Sequence, residues 1–179
     1  MTKISLAAVL VLAMMGTARA GGQAGTIGVG AEYGLRFGGA VGGGDDGMGG
    51  GGGSPGLGLA SMNYDAGGFH TGAFLGFSDG GGDDDTSLAI GGRFFFHLHS
   101  GSMSDFSLGG NLGLVSIPTG GDDSASLVFL EPAMQIRLFP ASNVALSFTV
   151  GIAIGLVDAD GYGIEGQPTG AAGVHYYFF

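Results

Sequence analysis

Cysteine is absent from this chain, and lysine occurs only at Lys3. Without cysteine the protein forms no disulfide bond and has no thiolate for metal binding or nucleophilic catalysis. No apolar run reaches the length of about 18 residues that a membrane-spanning helix needs. Cations are scarce and the formal net charge is −10, so no basic patch for nucleic acid exists.

Glycine is abundant, with 42 residues, and the chain is 45% hydrophobic but only 11% charged. Interior glycine destabilises a helix by about 1 kcal/mol relative to alanine, which argues against a long helical core. The high apolar content argues against disorder. Strands that place apolar residues on one face and glycine on the other would reconcile these two facts.

The first twenty residues have the pattern of a secretory signal peptide. Lys3 precedes a short apolar run from Ile4 to Met15, and the small residues Ala18 and Ala20 frame a cleavage site. We expect residues 1–20 to be removed. Residues 21–179 are then one domain by length.

Residues 26–37 alternate strictly between apolar side chains and small or charged ones. This period of two is typical of a strand, and the segment is long enough to cross a bilayer as a tilted strand. Apolar residues would face lipid, and glycine would face the crowded interior of a narrow barrel. A soluble barrel that binds small molecules is the alternative, but it would need a polar outer face.

Seven further segments follow the same pattern, and they are 57–64, 69–77, 87–98, 106–116, 126–138, 144–156 and 170–179. We expect a bulge near Ala60 and Ser61, where the apolar phase changes, and distorted pairing at Pro132, which has no N–H to donate. Short turns are predicted at 65–68, 99–105 and 139–143. Longer loops are predicted at 45–56, 79–85, 117–124 and 158–167. The sequence therefore predicts an all-β fold, an eight-stranded antiparallel up-and-down transmembrane β-barrel.

The last ten residues are uncharged and end in four aromatics. Gly173, Tyr176 and Phe178 resemble the C-terminal assembly signal of Gram-negative outer-membrane barrels. The chain as a whole resembles the small OmpA-like and OmpX-like barrels. This resemblance implies location in the cell outer membrane, both termini in the periplasm, and recognition by the barrel assembly machinery.

The few charges in the strands fall on the inward parity, as a lipid-facing charge at mid-depth would cost about 2–4 kcal/mol. We expect Glu32 to pair with Arg93 across the lumen, and Arg36 with Glu131 nearer the outer end. The predicted lumen network is Glu32, Arg36, Arg93, Glu131, Gln135 and Arg137. It is either a polar filling that fixes strand register or the gate of a narrow ion-conducting pore. OmpA-type barrels, which this chain resembles, have such an interior ion-pair network.

Most remaining acids lie in the predicted outer loops. Asp158 and Asp160 begin like a calcium loop, but Tyr162 and Thr169 stand where further oxygen ligands are required. These two aspartates are thus weak candidates for metal binding. Solvated acidic loops are the expected state, with divalent cations and lipopolysaccharide as expected partners beside outer-membrane lipid.

The segment His97-Leu98-His99-Ser100 resembles the His-x-Ser motif of outer-membrane lipid A deacylases, but it ends at a predicted periplasmic turn and lacks an acidic third member. His70 and His175 are predicted lumen residues. No zinc-ligand spacing, phosphate loop or nucleophile elbow is present, so neither enzymatic activity nor a cofactor is expected. The predicted role is structural, or surface interaction through acidic, glycine-rich extracellular loops.

Overall fold

The computed structural model describes residues 24–36, 58–79, 86–120, 123–157 and 166–178. They form eight antiparallel strands in one closed barrel, in which each strand pairs with its neighbours in the chain and β8 pairs with β1. The strands are β1 (Thr26–Arg36), β2 (Gly58–Asp65), β3 (Phe69–Asp79), β4 (Thr86–Ser100), β5 (Ser104–Gly120), β6 (Asp123–Ala141), β7 (Val144–Val157) and β8 (Gly166–Phe178). The predicted fold class is confirmed. Within these ranges no helix is long and apolar enough to cross a membrane.

The last strand closes the barrel along the full length of the first. The ladder between β1 and β8 runs from Ile27 opposite Phe178 to Arg36 opposite Thr169. Closure gives every strand two neighbours and leaves no free sheet edge in the barrel wall. A wall without edges satisfies its own backbone groups, which is the requirement for backbone in hydrocarbon.

The barrel wall is apolar outside and polar inside. Large exposed side chains include Met62, Phe77, Leu112, Val150 and Val174. Most buried side chains are polar or charged instead, the reverse of a soluble protein core. Aromatic side chains also cluster on the outer surface: Phe94 packs against Phe69 and Phe96, and Tyr176 packs against Phe178. Transmembrane barrels have this arrangement.

Three short connections lie at one end of the barrel, which we call the turn end. They are residues 66–68, 101–103 and 142–143. The other end, where the chain crosses between β1 and β2, β3 and β4, β5 and β6, and β7 and β8, is called the loop end. The alternation of turns and loops follows the predicted order.

The prediction of a loop at 117–124 was wrong, because most of this segment is strand. β5 continues to Gly120 and β6 begins at Asp123, and Ile117 and Pro118 pair with Ala125 and Ser124. The Gly, Ser and Asp residues here are loop formers by composition. Two strands already aligned in a ladder can nevertheless continue beyond their other neighbours, because each added pair satisfies backbone groups.

The bulge predicted in β2 was also wrong. Pairing of β2 with β1 and with β3 is continuous through Ala60 and Ser61. Leu59 faces inward and is half-buried, so hydrophobicity alone misjudged the phase. At Pro132, however, the ladder with β7 does show an interruption: it passes from Leu130 opposite Ile154 to Ala133 opposite Gly151, with no pair between.

Two aspartates predicted to lie in turns are strand residues. Asp65 ends β2, and Asp105 is the second residue of β5. Both continue the inward parity of their strands, and both are almost completely buried. The turns are therefore shorter than predicted, and the turn end of the lumen carries two carboxylates that the parity analysis did not include.

Candidate lumen site

The first polar cluster, called the mid-barrel network, consists of Glu32, Arg93, His175 and Ser61. Arg93 donates to both carboxylate oxygens of Glu32, with Nη1 to Oε1 at 2.7 Å and Nη2 to Oε2 at 2.9 Å. His175 Nε2 lies 2.9 Å from Glu32 Oε1 and 2.9 Å from the Ser61 hydroxyl. A bidentate pair of this kind has both charge and geometric specificity. The structure thus brings together Glu32 and Arg93.

The mid-barrel network is packed tightly against the wall. The Arg93 guanidinium lies over the Phe74 ring, 5.2 Å from its centroid. Glu32 lies against Gly173 of β8, where an added Cβ would be 2.5 Å from Glu32 Cγ and 2.9 Å from Ser147 Oγ. Glycine at position 173 therefore makes room for the carboxylate on the inner wall.

The second cluster, called the turn-end network, is centred on Arg137. Its guanidinium Nε and Nη2 donate to Asp105, with Nη2 to Oδ2 at 2.6 Å. Nη2 also donates to Asp65 Oδ2 at 2.7 Å and lies 2.9 Å from His97 Nε2. Nη1 donates to the Tyr177 hydroxyl at 2.9 Å. One arginine thus joins β6 to four other strands.

A second layer fixes the partners of Arg137. Gly67, in the turn between β2 and β3, donates its N–H to Asp65 Oδ1 at 2.8 Å, and its carbonyl lies 2.7 Å from His97 Nδ1. His97 Nε2 lies 2.8 Å from His70 Nδ1. The His70 ring is stacked on Phe95 at 5.2 Å between centroids. The turn end of the lumen is therefore closed by a continuous chain of polar contacts.

Glu131 forms a third, smaller group. It accepts hydrogen bonds from Asn111 Nδ2 at 2.7 Å and from the Thr169 hydroxyl. The side chain of Arg36, its predicted partner, lies outside the described residues, so their pairing stays a prediction. Gln135 donates to the Thr149 hydroxyl at 2.9 Å, beside the turn-end network rather than in it.

The structure therefore separates the residues that the sequence grouped together. Glu32 and Arg93 meet at mid-barrel, Arg137 lies at the turn end, and Glu131 binds neutral partners. Sequence reasoning missed Asp65, Asp105 and Tyr177. Continuing the inward parity of β2 and β5 by one residue would have found the two aspartates. Tyr177 lies within the predicted last strand, two residues after the predicted lumen residue His175, and therefore shares its inward parity.

The three residues of the predicted assembly signal lie on β8. Gly173 faces the lumen, whereas Tyr176 and Phe178 are exposed on the outer wall with their ring centroids 5.1 Å apart. Recognition of this signal by an assembly machinery stays a prediction. Asp158 and Asp160 lie outside the described residues.

Within the described ranges, the contacts of the histidines do not form a nucleophile–histidine–carboxylate triad. His97 contacts Arg137, His70 and Gly67, and its neighbour Ser100 is exposed at the end of β4. In the mid-barrel network the serine and the carboxylate contact the same histidine nitrogen, Nε2 of His175. A catalytic triad needs them on opposite nitrogens, so that the carboxylate orients the ring while the other nitrogen takes the proton.

Comparison with known proteins shows similarity in structure only. No protein family model matches the chain, and no curated protein matches it. The N-terminal β-barrel domain of Pseudomonas aeruginosa OprF aligns with a TM-score of 0.58 and 12% identity, over 87% of this chain and 98% of that domain. Neisserial surface protein A aligns with a TM-score of 0.51 and 15% identity, over 86% and 96% of the two chains. The chain therefore has the fold of the small eight-stranded outer-membrane β-barrels.

Proposed function

We propose that this protein is a non-enzymatic barrel of the outer membrane, with a structural or surface-interaction role carried by its acidic, glycine-rich loops. The observation that carries the proposal is the inversion of the wall, with apolar side chains outside and charged side chains packed inside. Such a wall is stable only where its outer face meets hydrocarbon. Outer-membrane lipid and lipopolysaccharide are then its surroundings.

The filled lumen supports a role at the surface rather than in the interior. Arg137 and its partners close the turn end, and the mid-barrel network crosses the lumen above it. An eight-stranded barrel is only wide enough for its own side chains. Interactions with partners would therefore be made by the connections at the loop end. In the sequence these connections contain the acidic residues Asp45, Asp46, Asp83, Asp84 and Asp85.

Two experiments test the location and the exposure of the loops. In isolated outer membranes, the unboiled protein should run faster on a gel in mild detergent than the boiled protein, because a closed barrel stays compact. On intact cells, a protease that cleaves before aspartate should cut the acidic loops and leave Asp65 and Asp105 protected. A soluble periplasmic form, or cleavage only after the cells are permeabilised, would contradict the proposal.

A narrow ion pore is the second candidate, and one observation favours it. Among the described residues, five buried side-chain atoms have no hydrogen-bond partner: Asn63 Oδ1, Arg93 Nε, Ser107 Oγ, Asn111 Oδ1 and Gln135 Oε1. Buried polar atoms of this kind require partners. They lie on the inner wall from the level of Arg93, which is opposite Asn111, toward the turn end, where Ser107 is opposite His97. Ions or water passing through would therefore meet polar groups.

Single-channel recording of the purified protein in planar bilayers tests this second function. If the Glu32–Arg93 pair is a gate, Arg93→Ala and Glu32→Ala should each raise the open probability. Leu112→Ala, on the outer wall, is the matched control and should behave as the parent protein does. The absence of conductance in the parent and in both lumen variants would exclude the pore.

A further inference from the structure

The turn-end network contains a group of ligands that suits a metal ion. Asp65, His70 and His97 each offer one ligand atom, and these atoms all lie within 4.8 Å of one another. We propose that these three residues bind a divalent transition-metal ion of the Zn²⁺ class at the turn end of the lumen. Two imidazoles and one carboxylate, with an open fourth position, form a common ligand set for such ions.

The ligands are already oriented by the turn between β2 and β3. His97 Nδ1 contacts the Gly67 carbonyl at 2.7 Å, an arrangement in which Nδ1 donates its proton and Nε2 is the lone-pair nitrogen. That Nε2 lies 2.9 Å from Arg137 Nη2 and 2.8 Å from His70 Nδ1, so an ion would replace these two contacts. The Gly67 N–H holds the other oxygen of Asp65 at 2.8 Å. Metal-binding histidines and carboxylates typically have second contacts of this kind. Gly67 has a φ of 84°, so a side chain at this position would strain the turn.

The local charge also favours a further cation. Two buried carboxylates, Asp65 and Asp105, share the single guanidinium of Arg137. This leaves one negative charge in excess in a region of low dielectric, where uncompensated charge is costly. A metal ion binds histidine in its neutral form, which contributes a lone pair but no positive charge. A metal ion at these ligands would supply the missing positive charge.

Arg137 opposes binding of the metal ion, and it also makes the site selective between kinds of metal ion. Its Nη2 contacts both Asp65 and His97, so an incoming ion has to displace this one nitrogen. The guanidinium would keep Asp105 through Nε and Tyr177 through Nη1. The two imidazole nitrogens, now 2.8 Å apart, would separate to about 3.4 Å around a tetrahedral ion. Ions that prefer imidazole can offset this displacement, whereas Mg²⁺ and Ca²⁺ prefer oxygen ligands.

An ion can reach these ligands from outside the barrel. His97 is only half-buried, unlike Asp65 and His70, and the turn that it contacts is at the surface. Entry is therefore from the turn end, on the side opposite the acidic loops. Binding would tie the β2–β3 turn to β4.

The test is a Zn²⁺ titration of the full-length, untagged protein in detergent micelles, with excess Mg²⁺ to occupy oxygen-only sites in the loops. We expect one Zn²⁺ per barrel, and binding at least about 10-fold weaker in His97→Ala and in His70→Ala. His99→Ala, an exposed neighbour on β4, is the matched control and should bind as the parent protein does. Retained gel mobility of the unboiled protein establishes that each variant is folded.

A second measurement remains informative if a histidine variant fails to fold. Co²⁺ bound to the parent protein should show the intense visible absorption of a tetrahedral site, and Zn²⁺ should remove it. Equal Zn²⁺ binding by the parent and a folded His97→Ala variant would overturn the proposal, and so would an octahedral Co²⁺ spectrum. Either result would show that the ion does not bind at Asp65, His70 and His97.

Discussion

The two arginine-centred networks of the lumen differ in how completely their charges are held. Arg137 contacts two carboxylates, a tyrosine and a histidine from four other strands. Arg93 contacts one carboxylate, and its Nε has no partner among the described residues. The turn-end network therefore acts as a clamp between strands. The mid-barrel network contains a single arginine–carboxylate pair, so fewer charged contacts have to break before it rearranges, which is the property that a gate would need.

The largest effect that would test this comparison is expected from Arg137→Met. The substitution leaves Asp65 and Asp105 buried without their shared cation, and breaking a buried pair in this way destabilises by about 3–5 kcal/mol. Unfolding by urea, with the barrel refolded into lipid vesicles, measures this loss in the free energy of unfolding. The triple variant Arg137→Met, Asp65→Asn, Asp105→Asn removes all three charges and should recover most of it. No recovery would show that packing of the arginine, not its charge, holds the clamp.

A smaller loss is expected from Arg93→Met. Glu32 keeps His175 as a hydrogen-bond partner, so its carboxylate is not left without a partner. We therefore expect the free energy of unfolding to fall by about 1–3 kcal/mol in the same assay. Glu32→Gln in the Arg93→Met background should restore part of the stability by removing the remaining charge. A loss equal to that of Arg137→Met would remove the distinction between the two networks.

The smallest effect is expected from Tyr177→Phe, which deletes one hydrogen bond to Arg137 and leaves the ring in place over Gly28. A hydrogen bond to a charged group contributes about 1.5–3 kcal/mol at most, and here Arg137 keeps its two carboxylates, so we expect about 1 kcal/mol. Ser147→Ala is the control, because its contact with His175 is long, at 3.5 Å. A Tyr177→Phe variant as damaged as Arg137→Met would show that the hydroxyl, rather than the aspartates, anchors the clamp.

The sequence predicted which residues of the barrel wall face inward better than it predicted which polar side chains meet in the lumen. Period-two alternation predicted the inward face of most strands, though not of β2, and it placed Glu32 and Arg93 inside. It did not identify the partners of Arg137, because contacts across a lumen depend on strand tilt and register, which one sequence does not show. Asp65 and Asp105 were missing from the predicted lumen network for a different reason. Asp65 precedes Ala66-Gly67-Gly68, and Asp105 follows Gly101-Ser102-Met103-Ser104, so both belong to segments with a turn composition. Tertiary contacts with Arg137 outweigh that local signal here.

Arg137 contacts residues of strands that are not its neighbours in the sheet, and this has a consequence for how the barrel assembles. Its partners Asp65 and Tyr177 lie in β2 and β8, which become neighbours of the same lumen only when the last strand joins the first. Before that moment only Asp105, opposite Arg137 in the β5–β6 ladder, is already beside the guanidinium, and the open sheet leaves these groups exposed to water. Closure then removes water from the guanidinium and from both carboxylates. Closure and desolvation are therefore one event. A chain missing its last strand could keep the Arg137–Asp105 pair between β5 and β6, but it would lose the contact with Tyr177 and the closed lumen that buries these charges. The complete clamp therefore belongs only to the closed barrel.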